Sequence, residues 1–215
     1  MRMQPSAVEE RGAALIIALL IAALLTAVAA ALIVVTTTET LITGGYRAAQ
    51  EVRYAAEAFV ERSIRELAGM ADWTPVITPA PATFVAPFSD TALTPLAPDG
   101  RILNLSGLTA ARQAASDLVY GAAVFGADSP AWRLYAHAQL QNLVPPGMLT
   151  PPAYVLVWVA DDGGDGDGDP GQDSNGRLWM HAEAYGVGGA RRAVETAIAR
   201  AENAEVRMLA WKEVR

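Results

Sequence analysis

Six aspartates lie within the sixteen residues 161–176, a stretch that is also rich in glycine. Carboxylates this close together repel one another unless water or a cation neutralises them. A hard cation that prefers oxygen ligands, most simply calcium, suits such a set. The sequence therefore predicts that calcium, the one cofactor it suggests, would be bound through some of Asp161, Asp162, Asp165, Asp167, Asp169 and Asp173.

The spacing of these aspartates does not complete a known calcium motif. Asp165, Asp167 and Asp169 alternate as in the opening of an EF-hand loop. However, Pro170 stands where that loop needs glycine, and Gly176 stands where it needs a bidentate glutamate. Two interpretations stay open, a calcium loop outside the EF-hand type and a solvated acidic loop without metal.

Other chemistry finds little support in the composition. The chain has no cysteine, which excludes disulfides, thiolate catalysis and thiolate metal sites. His137 and His181 are its two histidines, and each is expected to be a packed or surface residue. No catalytic triad or phosphate-binding glycine loop is visible, so we predict no enzyme activity and no small-molecule substrate. With 23 acidic against 16 basic residues and no basic cluster in the downstream part, nucleic acid is not an expected partner.

The acidic stretch must be held by the elements on either side of it. Residues 154–159 form a β-branched and aromatic run typical of a buried strand. Residues 177–185 alternate between apolar and polar side chains, and a glycine turn leads to a partner strand at 191–200. These runs predict an antiparallel sheet of about three strands, to which residues 206–211 could add an edge strand.

The chain before this sheet is less regular. Residues 69–104 contain six prolines and are predicted to form an irregular connector. A short helix is expected at 108–120 with Thr109 as its N-cap, and residues 130–143 fit either a helix or a strand. Together, residues 105–215 are expected to form an α+β globular head.

One continuous apolar segment, residues 13–35, contains no charged residue, and Thr26 is its one polar side chain. About 20 such residues are enough for a helix to cross a bilayer. A buried helix of a soluble protein would show a polar stripe, and a cleaved signal peptide would have a shorter apolar region. A single membrane-spanning helix is therefore predicted, with a plain signal anchor as the alternative.

The charges that flank this segment predict its orientation. Arg2 and Arg11 precede it, whereas the first basic residue after it is Arg47. The positive-inside rule then places the N-terminus in the cytoplasm and the head in the periplasm, with the helix in the inner membrane.

A second helical pattern follows the apolar segment after Gly44 and Gly45, which are expected to bend or locally melt the helix. Four Arg/Glu pairs are spaced four residues apart, and an apolar stripe faces one side. Gly69 is predicted to end the helix. We therefore expect one long helix over 13–68, with residues 13–35 in the membrane and the later part packed on the head. The members of the stripe are Ala48, Val52, Ala55, Ala56, Phe59, Val60, Ile64 and Leu67.

A short polar leader that ends in Arg11-Gly12, directly before the apolar segment, resembles the prepilin leader of type IV pilin-like proteins. The run from Arg11 to Val35, the following Thr36-Thr37-Thr38-Glu39 and the later 54–58 stretch YAAEA resemble PilX-type minor pilins most closely. The resemblance implies a leader of residues 1–12 that prepilin peptidase removes after Gly12. This cleavage would leave Ala13 as the new N-terminus, which is usually N-methylated in this family.

The resemblance also implies a role and partners. A minor pilin would be inserted in the membrane lipid, assemble with other minor pilins and pilus assembly proteins, and initiate or cap a type IV pilus. Most pilins carry Glu at the fifth mature position, where it is thought to meet the N-terminal amine of a neighbouring subunit. Here that residue is Ile17, which favours an initiating or tip subunit over the major one. The residues expected to line the membrane or filament core are Leu15, Ile16, Ile17, Leu19, Leu20 and Glu39.

Two other functions remain open at this point. A GspK-type pseudopilin of type II secretion also lacks the fifth-position Glu, but its relatives carry a much larger helical insertion in the head. A single-pass membrane enzyme, or an anchored domain of another function, would require polar groups that converge in a pocket.

Overall fold

The computed structural model describes residues 7–79, 85–201 and 205–214 of the 215-residue chain, with side chains described from residue 12 onward. The chain divides into two compact units, residues 1–46 and 47–215. Of the predicted leader, residues 1–6 lie outside the described residues. The helices are α1 Ala7–Ala68, α2 Thr74–Ile77, α3 Leu105–Tyr120 and α4 Ala122–Phe125. The strands are β1 Arg133–Gln139, β2 Ala153–Asp161, β3 Arg177–Gly186, β4 Arg191–Arg200 and β5 Val206–Val214.

The first unit contains the apolar part of α1. From Gly12 to Arg47 every residue is exposed, and helix is a natural conformation for a segment dominated by Ala and Leu. Gly44 and Gly45 are both helical, so the local melting predicted there is absent.

The second unit is built around one antiparallel sheet with strand order β1-β2-β3-β4-β5. Each strand pairs with the next along the chain, so the sheet is a simple meander. The prediction of about three strands was too low. The 130–143 region, which fitted either a helix or a strand, contains strand β1 followed by a 3-10 turn at Leu140–Leu143. The predicted edge strand is confirmed as β5.

One face of the sheet packs on the second part of α1. Val52, Phe59 and Leu67 are at most 1 % exposed and join Val155, Val157 and other sheet residues in one core. The predicted stripe is confirmed, with Ala48 and Ile64 half-buried at its edge. Three of the four predicted Arg/Glu pairs form, whereas Arg65 donates to the backbone carbonyl of Glu61.

The other face of the sheet is covered by α3. Leu103, Leu105, Trp132, Leu156 and Trp158 form a second core there. The helix begins earlier than predicted, because Asn104 is the N-cap and its Oδ1 accepts from the backbone N–H of Gly107. With both faces covered, every residue of β2 is buried. The α+β arrangement of a long N-terminal helix packed on an antiparallel sheet is therefore confirmed.

Candidate functional site

The apolar segment of α1 presents large hydrophobic side chains on all its sides. Leu15, Leu20 and Leu25 are each 64 % exposed, and residues between them on the other faces are similarly exposed. Soluble monomers rarely expose so large a continuous apolar surface, so lipid or other helices must cover it. By length and composition, α1 is the one helix among the described residues that could cross a membrane. The chain is thus membrane-anchored through a single span.

Two hydroxyl-bearing side chains illustrate how this helix suits lipid. Thr26 donates to the carbonyl of Ala22 at 2.8 Å, and Thr37 donates to that of Ile33 at 2.8 Å. Each hydroxyl is thereby paired within the helix and needs no water. The polar residues within and at the end of the apolar segment therefore add little cost to its insertion.

The residues predicted to be processed and to face the membrane all lie on α1. Gly12 and Ala13 are helical and exposed, and a Cβ on Gly12 would meet no atom within 4 Å. Glu39 is also exposed, four residues beyond the apolar run. Ile17, at the fifth position after Gly12, is 57 % exposed and apolar, as are the rest of the predicted set, Leu15, Ile16, Leu19 and Leu20.

The acidic loop connects β2 to β3 and brings three of the six predicted aspartates together. One carboxylate oxygen from each of Asp161, Asp165 and Asp167 lies within 4.8 Å of the other two. Asp165 is half-buried and Asp167 is exposed, whereas Asp161 is 1 % exposed. All three contribute oxygen atoms, the ligand type that calcium binds.

Asp161 is the last residue of β2, where it pairs with Leu178 of β3. Neither of its carboxylate oxygens makes a hydrogen bond of ordinary geometry to any described residue. Burial and the nearby Asp165 raise the pKa of Asp161 to about 8, which the backbone N–H of Asp162 only partly offsets. A buried carboxylate in this state lacks the compensation that such groups normally have.

The other three predicted aspartates are engaged within the loop. Asp162 accepts from the side-chain amide of Asn175 at 2.7 Å. Asp169 accepts from the backbone N–H of Gly171 at 3.0 Å, and Asp173 accepts from that of Gly176 at 2.7 Å. These three carboxylates accept from donors of the loop and so shape it, as do those of Asp165 and Asp167, which accept from the backbone N–H groups of Ser174 and Asp169.

The sequence analysis missed a charged cluster between α3 and the sheet. Glu195 of β4 accepts from His181 of β3, and it pairs with Arg112 of α3 at 2.9 Å and Lys212 of β5 at 2.6 Å. Burial raises the pKa of Glu195, but these partners outweigh it and lower the pKa to about 2. Four separate elements contribute the cluster, and no local sequence motif marks it.

This cluster borders a cavity of about 400 Å³ lined by Tyr120, Trp179 and Trp211. The two histidines are buried and partnered, since His137 Nδ1 lies 3.0 Å from the Tyr154 hydroxyl and His181 is bonded to Glu195. An ion-paired carboxylate with a pKa of about 2 is a poor general base at neutral pH. The cluster therefore holds α3 on the sheet.

Comparison with known proteins gives a match for the N-terminal part of the chain. Residues 11–61, which contain the apolar segment and the start of the packed stripe, match the family model described as PilX N-terminal. No match was found among curated proteins or among solved structures. Residues 11–61 are therefore similar to the PilX N-terminal family, and they include the whole of the apolar segment that could span a membrane.

Proposed function

We propose that this protein is a minor pilin of a type IV pilus, processed after Gly12 by prepilin peptidase and acting in the initiation of pilus assembly or at the pilus tip. The observation that carries the proposal is the exposed apolar segment of α1, which starts directly after Arg11-Gly12 and lies within the PilX N-terminal match. A pilin subunit that has not yet been assembled would be held in the membrane by such a helix.

The membrane in question is the inner membrane, with the leader in the cytoplasm. The basic residues Arg2 and Arg11 precede the span, and the acidic Glu39 follows it before any further basic residue. This distribution supports retention of the N-terminus on the cytoplasmic side. The sheet-containing unit would then lie in the periplasm, where it meets other minor pilins and assembly proteins.

The role in initiation or at the tip rests on Ile17. A Glu at this position would be costly in lipid unless a neighbouring subunit's amine paired with it. Ile17 carries no charge and fits the membrane without a partner. A subunit without that carboxylate can enter an assembly first, whereas a subunit repeated along a shaft would use it at each step.

The rival role is that of a GspK-type pseudopilin of type II secretion. Among the described residues after α1, the longest helix is the 16-residue α3, and the sheet dominates this unit. A large helical insertion is thus not part of the described structure, which favours the pilus role. Deleting the gene separates the two, since pili are expected to be lost while protein secretion continues.

The mature N-terminus is the first test of the proposal. Protein from cells with prepilin peptidase should begin at an N-methylated Ala13 by mass spectrometry, and protein from cells without it should keep Met1. A Gly12→Leu variant should stay unprocessed in both strains, while Gly45→Ala, a matched glycine change downstream, should be processed normally. An intact Met1 in both strains would contradict the proposal and leave a single-pass anchored domain.

The finer role is tested by where the mature protein lies. Immunogold labelling of sheared pili should place the protein at one end of each filament. Labelling at regular intervals along the shaft would show instead a repeating subunit and refute the initiating or tip role, while leaving the minor pilin processing intact.

A further inference from the structure

The acidic loop holds a buried carboxyl group without a hydrogen-bond partner of ordinary geometry among the described residues. Asp161 is 1 % exposed, and its two carboxylate oxygens lack hydrogen bonds of ordinary geometry among the described residues. Removing a carboxylate from water without a partner is expensive, and proteins avoid it unless a proton or a cation compensates. The structure therefore requires something to accompany this side chain.

Protein cations do not supply that compensation. Throughout the part of the chain that the structure describes, no Lys or Arg nitrogen lies within 4.0 Å of a carboxylate oxygen of the loop. Two further carboxylates, those of Asp165 and Asp167, each have an oxygen within 4.8 Å of an oxygen of Asp161. Like charges brought together raise the cost of each one.

The backbone of the loop is arranged so that these carboxylates converge. Gly166 has a φ of +76° and Gly168 a φ of +82°, a region that side-chain-bearing residues rarely adopt. These glycines alternate with Asp165 and Asp167, and they turn the chain back towards the end of β2. Asp165 is further fixed by the backbone N–H of Ser174, which donates to it at 2.8 Å.

We propose that Asp161, Asp165 and Asp167 bind a calcium ion that closes the loop between β2 and β3. The ligand set is made of carboxylate oxygens alone, which suits a hard cation and disfavours zinc, whose protein sites use nitrogen or sulfur. Calcium tolerates irregular geometry and water ligands at its remaining positions, whereas magnesium demands a near-ideal octahedron. An irregular, partly exposed site such as this one fits calcium better.

Binding would act on the sheet as well as on the loop. Asp161 ends β2, a central strand, so an ion held there ties the following loop to the end of that strand. A ligand that binds the folded state and not the unfolded chain stabilises the fold by mass action. Calcium would therefore stabilise the sheet unit independently of whether the chain serves a pilus.

The test uses the full chain in detergent micelles, stripped with EGTA and titrated with CaCl₂ or MgCl₂ from about 10 µM to about 10 mM, the range between sensor and extracellular sites. Its five tryptophans all follow residue 72 and report unfolding of the sheet unit by fluorescence. Calcium should raise the melting temperature by roughly 5 °C at saturation. Magnesium should need at least about tenfold higher concentration for the same shift.

Three variants and a control decide the site. Asp165→Asn and Asp167→Asn remove exposed or half-exposed ligands, should fold, and should weaken calcium binding at least about tenfold. Asp161→Asn should abolish the calcium response, and in EGTA it should melt no lower than the wild type because it removes a buried charge. Asp99→Asn, which changes an aspartate in another loop, should keep the full response.

Two results would overturn the calcium site. One is the absence of any shift in the wild type up to about 10 mM calcium, which would mean that a proton alone compensates Asp161. The other is an undiminished response in Asp165→Asn and Asp167→Asn, which would mean that calcium binds non-specifically to acidic residues elsewhere on the surface. Neither result would bear on processing after Gly12, so the pilin proposal stands or falls separately.

Discussion

Nδ1 of His181 lies 3.0 Å from Oε1 of Glu195, and this contact joins neighbouring strands β3 and β4 beneath helix α3. The same glutamate pairs with Arg112 from the helix and with Lys212 from β5. One carboxylate thus connects four elements of the sheet unit. Charges that meet in a largely buried place couple folding to pH, because their pKa values differ from those in the unfolded chain.

Acid is expected to remove the stabilisation that this cluster provides in two steps. Burial lowers the pKa of His181, an effect that its hydrogen bond to Glu195 only partly opposes. Below its ordinary pKa of about 6.5, the unfolded chain therefore takes up this proton first. For Glu195, whose pKa is lowered to about 2, the unfolded chain binds the proton first between about 4.5 and about 2. The contribution of these two groups to the free energy of unfolding should thus fall as pH falls through both windows, by up to roughly 3 kcal/mol in the second. The raised pKa of Asp161 acts in the opposite direction, because the folded chain binds that proton first.

The first step is measured by urea unfolding of the full chain in micelles. The pH values are 7.5, 6.5, 5.5 and 5.0, roughly the range over which histidine titrates. As pH falls over this range, the free energy of unfolding of His181→Gln should rise relative to that of the wild type, because the glutamine amide does not titrate. His137 and Asp161 also titrate with shifted pKa values, but they are common to both proteins and cancel in the difference. Equal slopes in both proteins would show that His181 does not contribute.

A close approach between α1 and β3 gives a second prediction. A Cβ built on Gly186 would lie 2.3 Å from Cγ1 of Val52, a side chain that is 1 % exposed. Gly186→Ala should therefore cost about 2 kcal/mol of stability through overpacking. Val52→Ala alone should cost a similar amount by leaving a cavity, roughly 2 kcal/mol.

The double variant is the control for this contact. In the Val52→Ala background the clashing methyl is absent, so Gly186→Ala should cost less than about 1 kcal/mol. Denaturant unfolding of the four proteins measures the coupling. Additive losses would mean that glycine is needed at 186 for some reason other than the approach of Val52. Gly44→Ala, in open space on the same helix, should not destabilise the chain.

A buried side-chain hydrogen bond also holds α3 on the sheet. Nε1 of the buried Trp158 donates to Oγ1 of Thr109 at 2.9 Å. Thr109→Val keeps the shape but leaves a buried indole N–H without an acceptor, so it should cost about 1–3 kcal/mol. Thr109→Ser retains the acceptor and should cost less than about 1 kcal/mol. Equal losses in urea unfolding would assign the effect to packing and not to the hydrogen bond.

The same Thr109 shows where sequence reasoning reached its limit. It was predicted as the N-cap of a helix over 108–120, because threonine is a favoured N-cap residue. In the structure Asn104 caps the helix and Gly107 supplies the capped N–H, so the helix starts at Leu105. Asn and Thr are both favoured N-cap residues, so the residue types alone do not show which of Asn104 and Thr109 caps the helix.

Strand β4, which follows a clear glycine turn, was predictable, whereas β1 was not. β4 was predicted with its observed bounds, since glycines precede it and β-branched residues recur within it. β1 was left open between helix and strand because α1 and α3 cover both of its faces, which removes the alternation that marks a half-buried strand. Its identity depends on pairing with β2, a contact between distant residues.

The candidate sites divide in the same way. The apolar segment and its leader are continuous in sequence, so they could be identified before the fold was known. Six aspartates were predicted as a set, but which three converge is decided by the positive φ angles of Gly166 and Gly168. Glu195 and its partners come from four elements and could not be predicted from any one stretch.

The orientation of the chain in the membrane is open to a direct measurement, because the sequence has no cysteine to interfere. Leu149→Cys introduces a thiol at a fully exposed position between β1 and β2. Ser6→Cys introduces one in the leader, which is retained in cells that lack prepilin peptidase. If the flanking charges set the orientation, the two positions lie on opposite sides of the inner membrane.

A membrane-impermeant maleimide should then label Leu149→Cys in spheroplasts and should leave Ser6→Cys unlabelled until the inner membrane is permeabilised. Replacing the flanking charges tests whether they cause this orientation, since the positive-inside rule predicts it from Arg2 and Arg11. Replacing both with Glu, in each cysteine background, should reduce labelling of Leu149→Cys, because part of the chains would invert or fail to insert. Labelling of Ser6→Cys in intact spheroplasts of the unaltered charge background would show the opposite orientation, and the head could not then join a periplasmic assembly.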